Sequence, residues 1–369
     1  MTTPRIELIH TPDYDQIKRN FLHELLSASK GESSSISFLK NYLPEKPLLT
    51  KGIVQGIVIG GTNYIIATEE IFPDGKRKVL KKTKGLLPVF DTKETLLDFF
   101  SKHFDPRADA IGINFGFPMS AHTGSDGEID AILVRGTKEH AFEGLNEPIG
   151  ELVKALFHEK HHRKPIVSIA NDTICLTLSG DGTEQGAFIA GTGFNMGLVL
   201  KVKGKRILVN TESGNFNKFT LSPILAKIDT DSEDPGGQLL EKAVSGKYLA
   251  LYFNEKVKQS HQDISPIETS QELSELSHEN HNDVAGDLAR AIITRSAYLV
   301  ACAIAAVYEF NGKPESFALI GEGSLLWNGW HYEENIYKQL RKLGVATENV
   351  TLKNIPNSSL DGALGLITK

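Results

Sequence analysis

Apolar and polar positions change their period several times along this chain, and each change predicts an element. Ile17, Phe21, Leu22 and Leu25 recur at helical spacing behind Thr11-Pro12-Asp13, a cap, a proline and an acid. That pattern predicts a first helix, broken by Lys30-Gly31-Glu32-Ser33-Ser34-Ser35, then a short segment Ile36–Leu43 ending at Pro44. From Gly52 the period is that of strands: Gly52–Ile59 and Tyr64–Thr68 flank Gly60-Gly61-Thr62-Asn63, and Arg77–Lys82 follows the turn Phe72–Lys76. Thr92–His103 reads as a helix, Ala108–Phe115 and Glu128–Val134 as strands, Pro148–His161 as a helix and Pro165–Ala170 as a strand.

The pattern then repeats. Strands Gly186–Ala190 and Met196–Val202 flank Gly191-Thr192-Gly193, and Arg206–Asn210 follows Lys203-Gly204-Lys205. Helices are expected at Gly237–Lys258, Val284–Phe310, Glu333–Leu343 and Asp361–Thr368, and strands at Phe317–Ile320 and Val350–Asn354. Gln259–Asn282 is polar, rich in His, Ser and Glu, and reads as a loop or surface helix without chemistry. Strands alternating with helices in both halves predict an α/β architecture.

Composition narrows the picture. The chain has 369 residues, 40% hydrophobic and 23% charged, enough for two domains with substantial cores. A net charge of −6 without a basic block argues against a nucleic-acid surface. Cys175 and Cys302, the only cysteines, are far apart and give no disulfide framework or zinc knuckle. The polar N-terminal helix is no signal core, and the apolar run Ala297–Tyr308 is too short for a bilayer, so a cytoplasmic protein without a membrane partner is expected.

The two glycine turns carry the chemistry. Glycine admits backbone amides close to an anion, and threonine adds a hydroxyl donor. One strand–turn–strand unit in each half points to a nucleotide and to phosphoryl transfer. Asp172, in Asn171-Asp172-Thr173 at the end of a strand, can take a proton from a bound alcohol or can cap the following helix. Lys138, after Thr137, can neutralise a transferring phosphate. Glu212 and Glu241 can accept from sugar hydroxyls, and Gly321-Glu322-Gly323-Ser324 suits close backbone approach to a flat ligand.

In their order, these segments resemble the eukaryotic-type hexokinases and glucokinases of the actin-like ATPase superfamily. The resemblance runs from about Phe38 to the C-terminus. It is carried by Gly60-Gly61-Thr62-Asn63-Tyr64, Phe115-Gly116-Phe117-Pro118, Thr137-Lys138, Asn171-Asp172-Thr173, Gly191-Thr192-Gly193-Phe194-Asn195, Asn210–Phe216, the long Pro235–Leu249 segment and Gly321-Glu322-Gly323-Ser324. It implies a two-lobed actin-like (ribonuclease H-like) α/β fold with an interdomain cleft. The expected parts are an N-terminal helical segment 1–51, a small domain 52–172 and a large domain 173–369.

It also implies ATP and Mg2+ as cofactors, a hexose, foremost glucose, as partner, and phosphorylation of the 6-hydroxyl. Asp172 would be the base, with Lys138 beside the transferring phosphate. Thr137, Lys138, Asn171, Asn195, Glu212 and Glu241 would bind the sugar. Gly60, Gly61, Thr62, Asn63, Gly191, Thr192, Gly193, Gly321, Gly323 and Ser324 would hold the nucleotide. Three positions depart from the family: Val58 stands where it has a magnesium-holding aspartate, Ile65 where it has an arginine, and Ser213 where it has a tryptophan. Two alternatives follow, a sugar-binding sensor that transfers no phosphate and a related actin-like kinase for another acceptor.

Overall fold

The computed structural model describes residues 12–60, 63–117, 119–124, 127–134, 145–260, 263–278 and 284–369. The chain opens with helix α1 (Tyr14–Ser29). Its cap is Asp13, whose Oδ1 accepts from the Gln16 N–H at 2.9 Å, so the helix starts two residues later than a Thr11 cap would set it. Strands β1 (Leu39–Tyr42), β2 (Gly52–Ile59), β3 (Asn63–Ile71) and β4 (Arg77–Leu86) precede α2 (Lys93–His103), which a Thr92–Thr95 capping box begins. Then come β5 (Ala110–Phe115), β6 (Met119–Thr123), β7 (Ile129–Leu133), α3 (Ile149–His161), β8 (Ile166–Asn171) and the single-turn helix α4 (Asp172–Thr177).

The second half supplies β9 (Gly186–Ala190), β10 (Phe194–Val202) and β11 (Lys205–Asn210), then α5 (Pro223–Thr230), α6 (Leu239–Val244), α7 (Gly246–Gln259) and α8 (Ser270–His278). The expected single helix over Gly237–Lys258 is thus two, broken at Ser245, whose backbone is extended. The polar 259–282 stretch contributes α8. The long helix α9 (Val284–Phe310) is followed by β12 (Phe317–Glu322), α10 (Ser324–Asn328), α11 (Tyr332–Lys342), β13 (Val350–Asn354) and α12 (Ser358–Thr368).

The chain forms two compact units, each assembled from three separate segments. One unit comprises 39–187, 197–210 and 355–369. Its main sheet runs in the order β4-β3-β2-β5-β8, antiparallel through β4-β3-β2 and parallel through β2-β5-β8. One face carries α2 and α3 through Phe99, Phe100, Val153 and Phe157, and the other carries α12 through Leu360, Ala363, Leu364 and Ile367. Glycines allow α12 to sit directly on the sheet: a methyl at Gly112 would collide with the Ala363 carbonyl, and one at Gly56 would lie 2.7 Å from Leu360 Cδ1. In the same unit β6 pairs with β7, and β1 pairs with β11, itself paired to Gly197–Val202.

The other unit comprises 1–38, 188–196 and 211–354. Its centre is α9, with α1, α8 and α11 packed around it, and β12 pairs in parallel with β13. Helix α9 is long and apolar enough to cross a membrane, a span that the expected run Ala297–Tyr308 covers only in part. Its most apolar stretch, however, is 89% buried inside the protein, so this is a core helix. Burial of each of its large aliphatic side chains is worth roughly 1.5–3 kcal/mol.

Candidate active site

In the unit containing the five-stranded sheet, the first glycine turn and the candidate base come together. Parallel strands β2, β5 and β8 end side by side, with Ile59 opposite Phe115 and Phe115 opposite Asn171. Ligands bind beyond the carboxyl ends of such strands. The Gly60 N–H donates to the Asn63 carbonyl at 3.0 Å and closes the turn, while Gly61 and Thr62 lie outside the described residues. Gly116 follows β5, and its N–H donates to the Ile59 carbonyl at 2.8 Å. A methyl placed on Gly116 would lie 3.7 Å from Asp172 Oδ2 and 3.7 Å from Gly60 Cα. Gly116 therefore lies between the turn and the carboxylate, a place that its membership of the Phe115–Pro118 segment did not by itself assign. Its signal was a glycine between two buried phenylalanines, Phe115 and Phe117, stacked at 4.6 Å.

The helix start beyond β8 explains how Asp172 is held. Asn171 is the cap: its Oδ1 accepts from the Thr173 N–H at 2.8 Å. Asp172 stands at the first position of α4, and its Oδ1 accepts from the Thr173 N–H at 2.7 Å and the Thr173 hydroxyl at 3.1 Å. Capping is thus shared, and one carboxylate oxygen, Oδ2, is the one turned toward Gly116. Thr137 and Lys138 lie outside the described residues, as does Pro118.

The departures Val58 and Ile65 prove to be one feature. They are direct cross-strand partners on β2 and β3, and Asn114 and Lys84 continue the row on β5 and β4. Val58 is buried and Ile65 half-buried in the apolar cluster under α12. An apolar pair therefore fills two adjacent positions where the resemblance implies opposite charges. Side by side with Val58, the Asn114 amide donates to the Ser359 carbonyl at 3.1 Å.

In the other unit the sugar and adenosine candidates form a second constellation around the second glycine turn. The Gly191 N–H donates to the Gly193 carbonyl at 3.1 Å, and the Gly246 N–H donates to the Gly191 carbonyl at 2.8 Å. Thr192, between them, is exposed. Gly323, with φ +125°, lies against this turn: a methyl on Gly191 would sit 3.2 Å from Gly323 Cα and 3.8 Å from Ser324 N. Gly321 closes on the Trp327 ring, whose Nε1 donates to its carbonyl at 3.1 Å.

Glu241 projects from α6 to the same turn, where its Oε2 accepts from the Phe194 N–H at 2.9 Å. Asn195 Oδ1 accepts from the Met196 N–H at 2.8 Å and the Ser213 N–H at 3.1 Å. Glu212 has φ +45° and Gln238 φ +50°, left-handed positions that cost a side-chain-bearing residue energy and cluster at functional sites. Gln238 was unassigned from sequence. Its N–H donates to Asn215 Oδ1 at 3.3 Å, and its side chain fills the space over Gly214. Ser213, at the departure from tryptophan, is fully buried, and its hydroxyl bonds to Thr211 at 2.5 Å.

A buried ion pair braces this segment. Lys242, 2% exposed, donates from Nζ to Asp229 Oδ1 at 2.6 Å and to the Asp234 carbonyl at 2.5 Å. Asp229 in turn accepts from the Gly236 N–H. The loop before α6 is thereby clamped to α5. Tyr248 lies among these acids. Burial first, then the negative charge of Glu241 and its neighbours, pushes the Tyr248 hydroxyl up to about 12.

Among the described residues no three His, Cys, Asp or Glu side chains cluster as a metal site. At the first turn Asp172 is the acid seated beside Gly60, and β2 offers only Val58. That donor set does not match the β2 carboxylate that the resemblance associates with magnesium.

Comparison with known proteins agrees with this assembly. The hexokinase family model matches residues 185–265 and 251–367. A hexokinase of Schistosoma mansoni is 28% identical over 61% of this chain and 56% of its own length. The chain spans about half the length of the first curated relatives it matches, hexokinases all. The solved Schistosoma mansoni hexokinase complexed with glucose superimposes with a TM-score of 0.79 at 21% identity, covering 96% of this chain and 94% of that one. A ROK family glucokinase from Streptomyces griseus, in complex with glucose and AMPPNP, gives a TM-score of 0.54 at 18% identity over 86% of this chain and 99% of its own. The fold is therefore the actin-like ATPase fold of these sugar kinases, and residues 185–367 match the hexokinase family.

Proposed function

We propose that the protein transfers a phosphoryl group from ATP to the 6-hydroxyl of a hexose, foremost glucose, with Asp172 as the general base. One observation carries this reading. The Asp172 carboxylate stands at the open end of three parallel strands, and Gly116 provides the bare backbone between it and the first glycine turn. A carboxylate so placed can accept a hydroxyl proton as the oxygen attacks phosphorus. Asn171, Asn195, Glu212 and Glu241, with Thr137 and Lys138, are the proposed sugar contacts. Glycines 60, 61, 191, 193, 321 and 323, with Thr62, Asn63, Thr192 and Ser324, are the proposed nucleotide contacts.

The chemistry asks little covalent work of the protein. Backbone N–H groups at the glycine turns neutralise phosphate charge, the acids orient hydroxyls, and exclusion of water favours transfer over hydrolysis. With Val58 in the β2 position, the reading rests on Asp172 and the turns rather than on a protein-held magnesium ion. Cys175 and Cys302 are buried thiols, which suits a reducing cytoplasm.

The test is a coupled assay over a panel of sugars and donors, with calorimetric titration of the same sugars. Asp172→Ala is expected to lower kcat at least ~10²-fold while leaving hexose affinity within a few-fold. Undiminished turnover in that variant would remove Asp172 from its role. The apolar Val58–Ile65 pair favours one second reading, a hexose-binding sensor; binding without turnover for every donor would establish it. Preference for a non-hexose acceptor would move the assignment to a related kinase.

A further inference from the structure

Among the described residues, one buried charge without hydrogen-bond partners lies away from both glycine turns. Arg295, in the middle of α9, is 6% exposed. Arginine at such depth is ordinarily paired, because a desolvated guanidinium without acceptors is costly. Among the described residues Arg295 donates no hydrogen bond and meets no carboxylate, and its Nε is buried without a partner. The terminal nitrogens, equally unbonded, are not among the buried unpartnered atoms and so open to solvent at the edge of the site. Burial pulls its pKa below the usual value, opposed only by Tyr252 and Tyr14.

The surroundings are cationic and aromatic. The guanidinium carbon lies 5.1 Å from the centroid of the Tyr252 ring on α7, whose hydroxyl is 3.2 Å from Ser222 Oγ. Tyr14 on α1 meets Tyr298, one turn beyond Arg295, edge-on at 5.5 Å. The exposed Lys342 of α11 places its Nζ 5.1 Å from the centroid of that same Tyr298 ring. Cation–π contact offsets part of the desolvation of Arg295, and it supplies no acceptor for any of the five N–H groups.

We propose that Arg295 heads a binding site for a small tetrahedral oxyanion of the phosphate class. A guanidinium presents two parallel N–H groups that match an oxyanion edge, and partial burial strengthens each bond. The bound anion would supply the acceptors that α1, α7 and α9 withhold, and so would tighten their packing around Arg295. The site lies within one compact unit and is independent of the kinase reading.

Inorganic phosphate titrated calorimetrically at constant ionic strength tests the proposal. Wild type is expected to show a binding event with Kd below ~1 mM that weakens at least ~10-fold in Arg295→Met. Arg295→Lys, which keeps charge but not the fork, is expected to fall between. Sulfate should compete and chloride should not. No phosphate binding by wild type up to ~10 mM, or equal binding by Arg295→Met, overturns the proposal. If Arg295→Met fails to fold, Arg295→Lys decides, and an unchanged phosphate Kd there is equally fatal.

Discussion

Asp130 illustrates how one residue carries a pH dependence. It is 1% exposed on β7, and its Oδ1 accepts from the Ala131 N–H at 2.7 Å and from the Gly150 N–H of α3 at 2.8 Å, while its Oδ2 has no partner. Burial raises its pKa despite these two bonds. For an acid with a raised folded-state pKa, the stabilisation is present at low pH and is lost as pH climbs through that value. Asp130→Asn keeps the acceptor and removes the charge. Its stability relative to wild type should therefore grow as pH rises above the ordinary carboxylate range, in denaturant titrations at several pH values. A difference independent of pH would contradict this. Such an effect is invisible in sequence, where Asp130 is one acid in an acidic stretch. The same holds for the helix caps: the sequence marked Thr11 and Asp172 as cap candidates, and the fold uses Asp13 and shares the second between Asn171 and Asp172.

Between elements, the row across β5, β2, β3 and β4 ties two substitutions into one. Val58→Asp alone should cost about 3 kcal/mol, since it buries an unpaired carboxylate under α12. Ile65→Arg beside it should return at least ~1 kcal/mol, a coupling that a double-mutant cycle reads directly. Additive effects would mean that the two positions are energetically separate despite their register. Sequence displayed both departures but not their adjacency, because positions 58 and 65 become neighbours only through the hairpin. Local pattern did reveal the strand–turn–strand units and the whole of α9, whose periods are set by near neighbours. It did not reveal the break at Ser245, nor the Lys242–Asp229 bridge, whose partners are 13 residues apart.

For the whole molecule, the deepest difference from a linear reading is the composition of the units. Residue order suggests consecutive parts 1–51, 52–172 and 173–369, yet each compact unit gathers three segments, and residues 355–369 belong to the sheet-bearing one. Removing 355–369 strips α12 from the face that holds Val54, Val58, Ala110 and Ile65. The truncated protein should lose cooperative thermal unfolding of that unit and expose apolar surface to a dye such as ANS. Retention of a native melting transition would show that α12 is dispensable. Gly112→Ala is a milder probe of the same contact, expected to cost ~3 kcal/mol because the helix backbone leaves no room for a methyl.

The seat of α12 also has a bearing on biogenesis. During translation, β2 and β5 leave the ribosome long before their covering helix. Until then one side of a hydrophobic sheet has no lid, and a nascent chain of this kind is a natural client for a chaperone.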